Sequence, residues 1–174
     1  MKKMRVNLLY SIPILVLAYA SFSSASAQAK SNLEVLGQKD SAAVIPTTFY
    51  FAGQSASTQM RNAAAARIGK DRLVIAGMVD TSGYSTEISG KYEGFFITDS
   101  PVKIGDKTLD TGAYGFGFSK DGSVNIFDIS AKQILSVEAR TDADMKRPRP
   151  LQLVPTENGV RFYKGKYYVV VSPR

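Results

Sequence analysis

AYGFGFSKDGSVNIFDI, residues 113–129, shows the fold class most clearly. Tyr114, Phe116 and Phe118 alternate with alanine, glycine and serine, so an extended backbone places the aromatic rings on one face and the small residues on the other. Lys120-Asp121-Gly122 then supplies turn residues before a second alternating run begins. The stretch therefore predicts two strands joined by a turn, with an aromatic face that fills a core.

Short runs of the same kind continue along the chain, separated by glycine, proline, aspartate and lysine. Strands are predicted at Thr47–Phe51, Arg72–Val79, Tyr92–Thr98, Ala113–Ser119, Ser123–Ile129, Ile134–Ala139, Leu151–Val154, Val160–Tyr163 and Lys166–Ser172. We therefore expect residues 44–174 to be all-β and to form a single antiparallel β-sandwich of about eight or nine strands. A small closed barrel is the alternative.

The first 29 residues have the parts of a secretory signal peptide. A basic start is followed by the apolar run Leu8–Ala20 and by small residues that contain two A-x-A sites. The run is shorter than the roughly 20 apolar residues of a membrane-spanning helix. Cleavage after Ala29 would remove three basic and no acidic side chains, which lowers the formal charge from +7 to +4. Residues 30–43 are small and polar, and we expect a flexible lead-in there.

The chain contains no histidine, cysteine or tryptophan. Their absence excludes Ser-His-Asp and Cys-His catalysis, zinc sites of the usual type, iron–sulfur clusters and disulfides. A bacterial lipoprotein needs a cysteine after its signal segment, so we expect an exported protein, periplasmic or secreted, that is not a lipoprotein. No cofactor is predicted, and we expect the membrane to be engaged only through the signal peptide.

Ser57–Ile68, STQMRNAAAARI, is compatible with two structures. Four consecutive alanines, a serine at the N-cap position and Gly69 after the last residue favour a helix. Gly69-Lys70-Asp71 is also a hairpin-type turn that leads into the strand at Arg72–Val79. We favour the hairpin because the surrounding segments are predicted to be strands.

The small face of the predicted strand Ala113–Ser119 is a candidate binding surface. Gly115 and Gly117 would allow close approach by a ligand, by a backbone or by another layer of the protein. Ordinary packing against a neighbouring layer is one interpretation. A ligand groove lined by Tyr114, Gly115 and Gly117 is the other.

Lys146-Arg147-Pro148-Arg149-Pro150 is the densest charge cluster after the signal segment. Its prolines favour an extended loop, which is either a solvated connector or a binding element. Lys146, Arg147 and Arg149 are therefore candidate binding residues. Outside the cytoplasm their partners would be an unknown small molecule, an anionic glycan or lipid headgroup, or an envelope protein. The reduced net charge gives no reason to expect nucleic acid.

Asp110-Thr111-Gly112 resembles the Asp-Thr-Gly loop of retroviral-type aspartic proteases, in which two carboxylates share a proton and activate water. Asp110 is thus the weak candidate for a catalytic residue, although Asp-x-Gly is also ordinary turn chemistry. Asp142 and Asp144 are two residues apart, but the calcium-loop pattern is absent and no metal site is predicted.

Ile104–Phe118, IGDKTLDTGAYGFGF, resembles a piece of exported bacterial β-sandwich domains of unknown function. These carry a G-x-x-L-x-x-G-x-Y pattern, three positions of which are matched by Leu109, Gly112 and Tyr114. The resemblance implies a strand, a glycine turn and an aromatic anchor. It implies no catalytic residues.

Three functions remain open at this point. We expect a non-enzymatic exported module that binds a ligand or a partner. The alternatives are a carboxylate-based hydrolase that uses Asp110, and a structural or assembly subunit of the cell envelope that offers a sheet edge.

Overall fold

The computed structural model describes residues 33–68 and 72–174, which are mostly β-strand. The predicted signal peptide, residues 1–29, lies outside the described residues. The strands are β1 (Leu33–Val35), β2 (Thr48–Phe51), β3 (Gln54–Ile68), β4 (Arg72–Val79), β5 (Gly94–Thr98), β6 (Val102–Ile104), β7 (Lys107–Leu109), β8 (Gly112–Phe118), β9 (Ser123–Phe127), β10 (Gln133–Glu138), β11 (Arg140–Thr141), β12 (Arg149–Pro155), β13 (Val160–Gly165) and β14 (Tyr167–Pro173). The helices are α1 (Gln38–Val44) and α2 (Thr86–Ser89).

The strands form two antiparallel sheets. The first sheet has the order β1-β3-β4-β5-β8-β9-β10, and β2 also pairs with β3. The second sheet has the order β12-β13-β14-β6-β7, and β11 pairs with β14. The predicted all-β sandwich is therefore confirmed. The described strands outnumber the eight or nine expected because several, such as β6, β7 and β11, are only two or three residues long.

The core between the two sheets, here called the inter-sheet core, is centred on phenylalanines. Phe116 of β8 and Phe162 of β13 approach edge to face with ring centroids 5.0 Å apart, and Phe96 and Phe118 also lie against Phe162. Tyr114 is half-buried against the same core. The predicted alternation along β8 is thus confirmed, and edge-to-face contacts of this kind add to the burial of apolar area.

The opposite face of the first sheet is also covered, by a second group of apolar residues here called the outer core. Phe49 and Phe51 of β2 lie there with Tyr84 and Tyr92 from the segment around α2. Phe51 is fully buried and stacks on Tyr92 with ring centroids 3.9 Å apart. The central strands of the first sheet are therefore covered on both faces, by the inter-sheet core on one side and by the outer core on the other.

The flexible lead-in expected over residues 30–43 is ordered from Leu33 onward, which is a correction to that expectation. β1 pairs with the end of β3, and Val35 lies opposite Ala66. The helix α1 follows, and the buried Ser41 hydroxyl donates a hydrogen bond to the main-chain oxygen of Leu36 at 3.0 Å. Main-chain pairing to an existing strand orders this segment even though its own composition is polar.

Ser57–Ile68 lies within the strand β3, which pairs antiparallel with β4 as the favoured hairpin requires, so the helix is wrong. The predicted turn Gly69-Lys70-Asp71 lies outside the described residues. Ala65 and Ala66 pair with Ile75 and Val74 of β4 and are fully buried on opposite faces of the sheet. Tertiary pairing therefore overrides the helix propensity of the alanines.

Within the described residues, no helix has the length and apolarity needed to cross a membrane.

The Tyr92 hydroxyl is buried beside the Tyr84 side chain, but no partner among the described residues meets hydrogen-bond geometry. Burial raises the pKa of this hydroxyl far above its ordinary value, and the neighbouring Tyr84 acts in the same direction. An unsatisfied buried hydroxyl costs about 1 to 3 kcal/mol. We therefore expect Tyr92→Phe to raise the free energy of unfolding by about 1 kcal/mol, measured by urea denaturation.

Tyr84→Phe is the matched control for this prediction. The Tyr84 hydroxyl donates a hydrogen bond to the main-chain oxygen of Gln54 at 3.1 Å, so its removal should lower the free energy of unfolding by about 1 kcal/mol. A loss of stability in both variants would show that the Tyr92 hydroxyl has a partner in solution.

Candidate functional site

The six residues proposed as a binding surface do not come together. Gly115 and Gly117 face the outer core, and Tyr114 points into the inter-sheet core on the other side of the same strand. Lys146, Arg147 and Arg149 are exposed in and after the loop that leads into β12 of the second sheet. The structure therefore separates the glycine-rich strand from the basic loop.

The space beside the two glycines is filled by the chain itself. A Cβ atom built on Gly115 would lie 2.3 Å from a ring carbon of Phe51. A Cβ atom on Gly117 would lie 1.9 Å from the main-chain oxygen of Lys91. The close approach predicted for this face is real, but its partners are β2 and the segment after α2. Of the two interpretations, packing against another layer of the protein describes the structure. The interpretation as a ligand groove lined by Tyr114, Gly115 and Gly117 is wrong.

Asp110 is exposed at the turn between β7 and β8. The Tyr114 hydroxyl donates a hydrogen bond to the main-chain oxygen of Asp110 at 3.0 Å, and burial raises the pKa of Tyr114. These contacts are those of a turn that is pinned by the following strand. Among the described residues, no three side chains of the metal-ligating types histidine, cysteine, aspartate and glutamate come together.

A shallow hollow of about 570 Å³ lies at the end of the second sheet where the basic loop joins β12. We call it the basic hollow. Its lining residues are Thr141, Pro148, Arg149, Pro150, Lys164, Gly165, Lys166 and Tyr167. The lining is largely apolar, with two prolines, a glycine and Tyr167, and it includes three cationic residues. Arg149 is the one predicted binding residue that lines this hollow, and Lys146 and Arg147 precede it in the chain.

Backbone conformation and strand pairing position the residues that line the basic hollow. Pro148 and Pro150 restrict φ on both sides of Arg149, and the pairing of β12 with β13 shifts register between Arg149 and Gln152. A bulge of this kind bends an edge strand and redirects a side chain. On the other side, Lys164 pairs with Tyr167 across a two-residue turn in which Gly165 has a φ of +60°. Glycine adopts this conformation without strain.

The start of the basic loop is held against the second sheet by Asp142. The Tyr163 hydroxyl donates a hydrogen bond to Asp142 Oδ2 at 2.7 Å, and Arg161 Nη1 lies 3.9 Å from the same oxygen. The Arg161 guanidinium also lies 4.8 Å from the centre of the Tyr168 ring. Burial raises the pKa of Tyr163, and the Asp142 carboxylate adds to the effect. The carboxylate of Asp142 is therefore engaged in anchoring the loop.

One cation of the basic hollow also links the two sheets. Lys164 Nζ donates a hydrogen bond to Glu93 Oε1, while Glu93 Oε2 accepts from the main-chain N–H of Phe118 at 2.9 Å. Glu93 thus neutralises Lys164. Arg149 and Lys166, which are both exposed, are the cations that remain available to a ligand.

Sequence reasoning missed Lys164, Lys166 and Tyr167 as members of this site. The signal was present, because the predicted tight turn at Lys164-Gly165 brings these residues to the end of one hairpin. What the sequence did not show is that β12 lies beside this hairpin and carries Arg149 to it, opposite Gly165.

The fold and the site together define an all-β sandwich domain with a cationic, partly apolar hollow at the end of its second sheet. Comparison of the chain with protein-family models finds no match, and neither do comparisons with curated proteins and with solved structures.

Proposed function

We propose that this chain is an exported, non-enzymatic binding module whose basic hollow binds an acidic glycan. The observation that carries the proposal is that exposed Arg149 and Lys166 line one largely apolar hollow together with half-exposed Tyr167. Signal-peptide cleavage would leave residues 30–174 as the exported chain.

The chemistry of the hollow fits a sugar that carries carboxylate or sulfate groups. An aromatic ring beside prolines offers a flat apolar surface on which the C–H face of a sugar ring can stack. Guanidinium and ammonium groups at its rim form charge-assisted hydrogen bonds to anionic oxygens. The loop is restrained at both ends, by the hydrogen bond from Tyr163 to Asp142 and by the pairing of Arg149 with Gly165, so binding loses less conformational entropy.

The test is isothermal titration calorimetry of the mature chain with polygalacturonate, with dextran as the neutral polymer. We expect the chain to bind polygalacturonate and not dextran. The affinity should fall as the sodium chloride concentration is raised, because salt screens the charges. Arg149→Glu and Lys166→Glu should each weaken it by about tenfold, the equivalent of about 1.4 kcal/mol. Mass spectrometry of the same preparation tests the predicted cleavage of the signal peptide, and the measured mass should correspond to a chain that begins at Lys30.

Lys103→Glu is the control, because Lys103 is an exposed cation on β6 of the same sheet that does not line the hollow. It makes the same change in net charge and should leave the affinity within about twofold. An equal loss of affinity in all three variants would show that binding depends only on net charge, and it would overturn the assigned site. Binding only to phosphatidylglycerol vesicles would overturn the glycan in favour of a membrane surface.

A further inference from the structure

A second cavity, of about 530 Å³, lies on the other side of Arg149, between β12 and β3. We call it the edge cleft. Leu151, Gln152 and Leu153 line it from β12, and Met60 and Arg61 line it from β3. Residues of α1, among them Ala42, line it as well. Arg149 lines both cavities, but the other residues of the edge cleft take no part in the proposed glycan site, and the inference does not depend on that proposal.

The edge cleft follows the edge of β12. Leu151 and Leu153 face the inter-sheet core, whereas Gln152 points to the opposite face, yet all three line the cavity. Consecutive residues of a strand share only its edge, where the main-chain N–H and C=O groups point. β12 pairs with β13 along one edge, and no other described strand pairs with it. The main-chain groups of the other edge are therefore directed into the cleft.

The opposite wall of the edge cleft is an interrupted part of β3. The pairing of β3 with β4 shifts register between Thr58 and Ala63. β2 pairs with β3 up to Ser57, and β1 pairs with it only from Ala66. The intervening part of β3, which includes Met60 and Arg61, thus faces the cleft between two short edge strands. The free edge of β12 provides the geometry that strand addition requires, and β3 forms the wall beside it.

The charge of the edge cleft defines its occupant. Arg61 and Arg149 are both exposed at its walls, and none of the described residues that line it is acidic. The segment of this chain that precedes β1, residues 1–32, contains lysines and an arginine but no aspartate or glutamate, so it does not complement the cleft. We propose that the edge cleft binds an extended acidic peptide of a partner protein, which adds a strand to β12.

The spacing of the cleft residues predicts the form of this peptide. The lining residues of β12 run from Arg149 to Leu153, which corresponds to about 16 Å or five residues of extended chain at about 3.3 Å per residue. Successive side chains of an added strand point to opposite faces. The peptide should therefore alternate apolar residues, packed toward Leu151 and Leu153, with acidic residues that meet Arg61 and Arg149.

The test is selection of binders from a displayed heptapeptide library on the mature chain, followed by affinity measurement on the enriched peptide by fluorescence anisotropy. We expect enrichment of alternating apolar and acidic residues. Bound peptide should slow amide hydrogen exchange by about tenfold at those alternate residues of Leu151–Leu153 whose N–H groups point to the free edge, because that edge becomes paired. Failure to enrich any peptide, or enrichment without slowed exchange on β12, would overturn strand addition.

Variants locate the peptide within the molecule. Ala42→Trp should block the cleft and abolish binding, whereas Ala43→Trp, at the next exposed position of α1 and outside the cleft, should not. Arg61→Glu should weaken binding by about tenfold, and Arg72→Glu, an exposed cation elsewhere, should not. Lys166→Glu separates the two proposals, since it should weaken glycan binding and spare peptide binding. Equal effects within either matched pair would contradict the edge cleft as the site.

Discussion

Phe51→Ala is expected to lower the free energy of unfolding by about 3 to 5 kcal/mol, the usual cost of truncating a fully buried aromatic residue. Phe51 is fully buried and stacks on Tyr92, and its ring centroid lies 6.3 Å from that of Phe127. Its ring also fills the space that Gly115 leaves open on β8. Truncation would therefore leave a cavity in the middle of the outer core. Urea denaturation measures the loss.

Tyr50→Ala is the matched control, because Tyr50 is the neighbouring aromatic residue on β2 and is 55% exposed. Its truncation should cost less than about 1 kcal/mol. Phe51→Leu, expected to cost about 1 to 2 kcal/mol, keeps the test readable if the alanine variant does not fold. Similar losses for Phe51 and Tyr50 truncation would show that β2 does not cover the first sheet in solution.

Gly117→Ala is expected to cost about 3 kcal/mol, at the upper end of the usual penalty for overpacking. A methyl group on Gly117 would lie 1.9 Å from the main-chain oxygen of Lys91. That oxygen cannot move freely, because the N–H groups of Lys91 and Tyr92 donate hydrogen bonds to the Ile88 main-chain oxygen at 3.0 and 2.9 Å. Either β8 or the turn after α2 must shift. Thermal denaturation should show a clear fall in the midpoint.

Gly83→Ala is the control for backbone effects of the same substitution. Nothing lies within 4 Å of a Cβ atom at Gly83, and its φ is not in the left-handed region. We expect a change within about 0.5 kcal/mol. If Gly117→Ala were equally mild, the segment after α2 would not contact β8.

The strands with clear alternation or continuous apolar runs were predictable from the sequence. β4 lies at the predicted bounds, Arg72–Val79, because most of its side chains are buried and its sequence is a nearly continuous apolar run. β6, β7 and β11 were not predicted, since two or three residues carry no readable period. β1 and α1 were missed for a different reason. Their order comes from contacts with β3, which the local composition does not reveal.

The candidate site was predictable in part. The charge density of residues 146–150 identified Arg149, since a local cluster is visible without the fold. Arg61 of the edge cleft was not identified, because it is 88 positions from Arg149 in the chain and only the packing of β3 beside β12 joins them. The small face of β8 was correctly predicted to permit close approach. Its occupant, Phe51, comes from a distant strand and could not be inferred.

Burial of the first sheet on both faces has an evolutionary consequence. At Gly94–Phe96 of β5 and Gly115–Gly117 of β8, every residue is buried, so side chains pointing in either direction are constrained by packing. Such strands have little freedom to acquire new specificities. The second sheet, by contrast, carries exposed side chains on its outer face and at its basic end. We therefore expect the exposed positions of the second sheet and its loops to tolerate substitution better than the buried positions of the first sheet.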